Sequence, residues 1–102
     1  MRIKIIGDNL KISPRIRKLV VEKIGRGLEK YLPSLNQEIK TATMTITKRT
    51  RWGYKVNFDM RLPENYQIFA EEKQETLLTA LVKLREALGK QIKKYKEGLK
   101  AK

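Results

Sequence analysis

Lys83, Lys90, Lys93 and Lys94 stand in a stretch whose apolar residues repeat at helical spacing, and none of the four falls on that repeat. Upstream, Arg15, Lys18, Lys23, Arg26 and Lys30 avoid a second apolar repeat in the same way. Between the two, Lys48, Arg49 and Arg51 surround the single tryptophan, Trp52. Side chains of these types neutralise and hydrogen-bond anionic oxygens, those of phosphates above all. The 102-residue chain carries 24 Lys+Arg against 11 Asp+Glu, a formal net charge of +13. Self-repulsion at that density costs folding stability, and a polyanion, either nucleic acid or an anionic membrane face, is the simplest compensation. Solubility alone is the bland alternative.

Other chemistry has little to work with. Without histidine, the commonest general base and neutral metal ligand are missing. Without cysteine, thiol catalysis, disulfides and zinc or iron–sulfur sites are excluded. Ser13, Ser34, the threonines, the lysines and the carboxylates remain, and the only aspartates, Asp8 and Asp59, have no close acidic neighbour in sequence. The expectation is a protein that is not an enzyme, with no metal, cofactor or small-molecule substrate. The apolar run at the start ends after a few residues, short of the ~7–15 of a signal peptide or the ~20 of a spanning helix. A cytoplasmic protein is expected.

Positioning these cations takes one domain, 1–102, with one modest core. Ile3 and Ile5 alternate with Arg2 and Lys4 in a short strand, closed by a Gly7-Asp8-Asn9 turn. Ser13-Pro14 is a helix start, and Ile16, Leu19, Val20, Ile24, Leu28 and Tyr31 follow at helical spacing until Pro33. Gly27 falls inside that arc; close approach to a sheet explains it, or slack selection does. Residues 38–49 alternate, with Ala42, Met44 and Ile46 on one side and Thr41, Thr43, Thr45 and Thr47 on the other. A hairpin tip at 50–53 leads to a strand with Tyr54, Val56, Phe58, Met60 and Leu62 inward. After a turn at Pro63-Glu64-Asn65, Tyr66, Ile68 and Ala70 mark a short fourth strand, and the acidic residues 71–75 lead into the final helix. There Leu77, Ala80, Leu81, Leu84, Leu88, Ile92, Tyr95 and Leu99 share one face, so the lysine-rich end is a docked helix, frayed from about Gly98.

The order β-α-β-β-β-α, with a right-handed first crossover, places strand one parallel to strand two. The expected fold is α+β: a two-layer sandwich of a four-stranded mixed sheet with two helices on one face. The apolar faces of both helices are needed for the core, which argues against membrane binding. The lysines then point outward, and the two helices together present one cationic surface. Trp52 at its basic tip either stacks on an unpaired base or caps the edge of the core.

Three stretches carry a resemblance: Gly7-Asp8-Asn9-Leu10-Lys11-Ile12-Ser13; Ile16-Arg17 with Val20, Lys23 and Leu28-Glu29-Lys30-Tyr31; and Lys90-Gln91-Ile92-Lys93-Lys94-Tyr95-Lys96. In order, spacing and length the chain resembles the short, single-domain form of the ribosome hibernation-promoting factor family, also known as sigma-54 modulation proteins. The resemblance runs over residues 2–99. It implies a fold akin to a double-stranded-RNA-binding domain, and a place on the small ribosomal subunit, in the channel for mRNA and the tRNA anticodon ends. Occupying that channel blocks initiation and preserves idle ribosomes in stress. It implies rRNA contacts at Lys23, Lys90, Lys94 and Lys96, with Arg26 and Lys30 beside them.

The chain departs from the family pattern in places. The interval from Lys23 to Leu28-Glu29 is one residue longer. Thr76-Leu77-Leu78-Thr79-Ala80 keeps the alanine of the family's Asp-x-Tyr-x-Ala but neither the acid nor the tyrosine. Pairing of ribosomes through the second domain of long members is not expected of a short form. With Lys83, Lys93, Arg49 and Arg51 added from the residue reading, the expected function is steric occlusion by a monomer that binds rRNA. The alternatives are a general binder of structured RNA and a module that uses the polar sheet face to hold an acidic protein.

Overall fold

The alternation of Ile3 and Ile5 with Arg2 and Lys4 becomes strand β1 (Arg2–Asp8) in the computed structural model of the chain, which describes residues 2–30, 41–62 and 65–100. Asn9 then turns with φ 57°. A Cβ on Gly7 would run into the Leu10 carbonyl, so this turn requires glycine. Ser13 caps the first helix: its Oγ accepts from the Ile16 N–H at 3.2 Å and its carbonyl from the Arg17 N–H at 3.0 Å. Pro14 takes the first helical position, where no N–H is needed.

This helix, α1, covers 14–29 in three pieces: α-helical Pro14–Val20, a π turn Val21–Gly25 and α-helical Arg26–Glu29. The Arg26 N–H reaches back five residues to the Val21 carbonyl. A π turn holds one residue more than an α turn. It also keeps Val20, Ile24 and Leu28, spaced by four, buried on one side. The expected end of the helix at Tyr31 and Pro33 lies outside the described residues, as do Ser34, Glu38, the Pro63-Glu64 half of the third turn and the side chain of Leu99.

Strands β2 (Thr41–Lys48), β3 (Tyr54–Leu62) and β4 (Tyr66–Gln74) complete a sheet ordered β1-β2-β3-β4. β1 and β2 are parallel and the other pairs antiparallel. The last helix, α2 (Leu77–Lys100), packs beside α1 on one face of this sheet. The α+β sandwich read from the sequence is the observed one. Met44, Ile46, Val56, Phe58 and Ile68 from the sheet meet Leu81, Leu84, Leu88 and Ile92 from α2, all fully buried.

Three expectations are corrected. The fourth strand is not short: residues 71–74 belong to β4, and only Glu75 and Thr76 separate it from the helix. Glu71 pairs its carboxylate with Lys55 Nζ at 3.1 Å across the open sheet face instead of facing a helix end. Thr76 caps α2, its Oγ1 accepting from the Thr79 N–H at 3.2 Å, so a hydroxyl stands where the family pattern has an acid. Gly27 does not approach the sheet; it makes room for Arg85 of α2, whose Cδ would lie 2.6 Å from a Cβ there. The helix α2 itself is assigned through Lys100.

Candidate nucleic-acid interface

Both helices run opposite to β1, β2 and β4, so they begin at the end of the sandwich that carries the β2–β3 hairpin tip. Gly53 in that tip abuts the Gln74 and Glu75 backbone just before α2. At the other end the Tyr66 ring, at the start of β4, meets the Tyr95 ring late in α2, with centroids 5.0 Å apart. Midway, Gln91 of α2 hydrogen-bonds to Phe69 of β4. The expected site residues therefore divide between two ends of the molecule.

At the hairpin end stand Arg49 and Arg51, both exposed. The Arg49 N–H donates to the Gly53 carbonyl at 3.0 Å and closes the tip, with Gly53 at φ +62°. Trp52 is 48% exposed and lies outside the buried core.

At the other end, Lys90, Lys93, Lys94 and Lys96 of α2 are all exposed, as are Arg26 and Lys30 of α1. Lys83, nearer the hairpin end, shares a flank of α2 with Lys90 and Lys94 at spacings of seven and four. Gln91, which reaches the β4 edge, identifies this as the flank beside β4. Arg85 over Gly27 marks the opposite flank, toward α1, and Lys96, three turns on, lies on that side. Lys93 is exposed between the flanks, over a shallow recess shared with Glu86, Gly89 and Lys90. Lys23 is half-buried, four residues before Gly27.

The helix layer is thus cationic as a whole, but its lysines wrap around α2 instead of forming a single ridge. The sequence reading missed Arg85. It falls four after Leu81 and three before Leu88, at the margin of the apolar stripe, where its stem packs while its guanidinium stays within reach of solvent. Spacing alone assigns such a residue to the core side.

Acids are sparse here. Glu22 and Glu29 stand on α1, and Glu86 and Glu97 on α2. Among the described residues none of the expected cations of the helix layer joins an ion pair; the Lys55–Glu71 pair lies on the opposite face. Unpaired exposed lysines with little to neutralise them are suited to phosphate, each contact releasing condensed counterions. Among the described residues no helix is long and apolar enough to cross a membrane.

Comparison with known proteins bears on the family and the fold. The family described as sigma 54 modulation protein / S30EA ribosomal protein matches residues 3–100. A ribosome hibernation promotion factor of Staphylococcus aureus (strain COL) is 30% identical over 97 residues, 94% of this chain and 48% of the relative. The chain thus spans about half the length of that curated relative. The crystal structure of the Thermus thermophilus Protein Y N-terminal domain superposes with a TM-score of 0.78 at 26% identity, covering 93% of this chain and 99% of that one. A ribosomal subunit interface protein from Coxiella burnetii shares the fold, with a TM-score of 0.74 at 22% identity over 95% and 99% of the two chains. The match over nearly the whole chain places it in the sigma 54 modulation protein / S30EA ribosomal protein family, the ribosome hibernation-promoting factors.

Proposed function

We propose that this domain is a ribosome-binding hibernation factor that occupies the mRNA and tRNA channel of the small subunit and inhibits translation by filling it. The observation that carries the reading is the acid-poor cationic helix layer: Lys83, Lys90 and Lys94 along one flank of α2, Lys96 and Arg85 on the other, Lys93 exposed between them, and Lys23 half-buried with Arg26 and Lys30 exposed on α1. Arg49 and Arg51 add phosphate contacts at the far end, and Trp52 a stacking surface. No bond is made or broken and no turnover is needed; phosphate neutralisation and shape suffice, and the free protein is a monomer in the cytoplasm. Family membership and the name of the S. aureus relative support a ribosomal target.

Co-sedimentation with small subunits, in competition with mRNA or initiator tRNA, tests the proposal. Displacement by either competitor is expected. Pelleting that neither competitor changes contradicts channel occupancy, and equal affinity for short RNA duplexes at matched salt favours a general RNA binder. A complex that survives nuclease treatment points to a protein partner instead.

A further inference from the structure

The sheet face turned away from the helices carries a second group of cations. Arg2 and Lys4 project from β1, and Arg61 from β3, around an open cleft of about 440 Å³ that Thr41, Thr43 and Asp59 also line. Register explains the cluster. Arg2 lies beside Thr41, Lys4 beside Thr43, Thr43 beside Asp59, and Arg61 beside Gln67. The side chains at these positions alternate with the buried Ala42, Met44, Phe58 and Met60, so all of them face solvent.

The charge on this face is uneven. Toward the hairpin end, Lys55 is neutralised by Glu71, and Asp8 accepts from the Thr47 hydroxyl. In the cleft, Asp59 is engaged by the Gln67 side-chain amide at 2.9 Å. Lys4 and Asp59 are separated by the whole of β2, about 10 Å at the usual strand spacing. Arg2, Lys4 and Arg61 have no ion-pair partner among the described residues. Three cations against the single carboxylate of Asp59 leave the cleft net positive, and the threonine hydroxyls between them can donate to the same anion.

We propose that this cleft is a second RNA phosphate-backbone site, so that the domain holds two RNA segments at once, one on each layer. The proposal rests on the reading above only in taking the helix layer to bind RNA. The cleft lies at the end of the sheet where β1 and β2 begin and β3 finishes, which is also where α2 carries Lys90, Lys93, Lys94 and Lys96. One end of the molecule is therefore cationic on both faces. The molecule measures 21 and 20 Å along its two short axes, so the bound backbones stand on opposite sides of a narrow body. An acidic polypeptide is the competing occupant, but the spread of the three cations across β1 to β3 suits a backbone with charges at regular intervals. A free phosphate ion engages one or two of them at most.

The test is sedimentation of the protein with an excess of a short fluorescent RNA duplex at low salt. The wild type carries two duplexes, R2Q/K4Q/R61Q carries one, and K90Q/K94Q carries one on its sheet face. All three melt cooperatively, because every substituted residue is exposed. The sheet variant also lowers the log–log salt slope of small-subunit binding by roughly 2–3. A wild type that carries one duplex, lost in the helix variant and kept in the sheet variant, overturns the second site and leaves the helix reading intact. Failure of every form to bind duplex or small subunit overturns both readings. Binding of polyglutamate that depends on Arg2, Lys4 and Arg61, with no second duplex, assigns the cleft to an acidic protein and also overturns the proposal.

Discussion

The side-chain amide of Gln91 meets the backbone of Phe69 in both directions, accepting from its N–H at 3.1 Å and donating to its carbonyl at 2.6 Å. β4 is an edge strand, and Phe69 turns its backbone groups outward from β3. Gln91 therefore acts as one residue of a missing neighbouring strand. It ties the middle of α2 to the sheet and sets which flank carries Lys90 and Lys94. It also blocks the edge against pairing with another chain.

Replacing Gln91 with Ala removes both bonds. The expected loss is about 1–3 kcal/mol of unfolding free energy, at ~0.5–1.5 kcal/mol net for each hydrogen bond. Urea denaturation measures it, and light scattering at high concentration should reveal association through the freed edge. An unchanged denaturation midpoint would show that the pair contributes nothing.

Gly53→Ala tests the hairpin tip. The residue sits at φ +62°, and a Cβ would strike the Gln74 carbonyl, which is backbone and cannot swing aside. A destabilisation on the order of 2 kcal/mol is expected, above the ~1 kcal/mol typical of point substitutions. Thermal melts compared with those of Gly98→Ala provide the control, since nothing lies within 4 Å of a Cβ at Gly98.

Much of this arrangement was legible in the sequence, and the parts that were not share a cause. Ile3 and Ile5, the Thr41 to Thr47 alternation and the Leu81-Leu84-Leu88-Ile92 stripe announce their elements because one face of each is buried and the other wet. The second half of β4 lacks that contrast. Glu71 and Lys73 face the open side, and Glu72 and Gln74 are only half-buried, so nothing apolar marks the strand. The π turn is a change of hydrogen-bond register and leaves the four-residue spacing of Val20, Ile24 and Leu28 intact. Composition reveals that α2 is cationic; which lysines share a flank depends on Gln91 and Arg85, whose partners lie on other elements.

Reversing Lys90 and Lys94 to Glu should abolish co-sedimentation with small subunits. Both residues are exposed and off the core, so stability should change by no more than about 0.5 kcal/mol for each. Circular dichroism and urea denaturation check the fold. An unfolded double variant would show that the facing of α2 is wrong.

Trp52 is the only tryptophan in the chain, so its fluorescence reports on the hairpin tip alone. Binding of small subunits should quench it, and Trp52→Ala should weaken binding by about 1–3 kcal/mol, the range for a stacked base. Unaltered emission on saturation would remove the tip from the interface.

Affinity for the small subunit should fall steeply with salt. With about six phosphate contacts, the decrease between 50 and 200 mM is on the order of 10³-fold. A filter-binding titration across that range measures the slope, and a flat response would mean that contacts other than phosphates dominate.

The most direct measurement is a cryo-EM map of vacant ribosomes with this protein added. Density for the sandwich is expected in the mRNA and tRNA channel of the small subunit, with the Lys83, Lys90 and Lys94 flank of α2 against rRNA phosphates. Density elsewhere on the ribosome, or in the channel with that flank turned to solvent, contradicts the account.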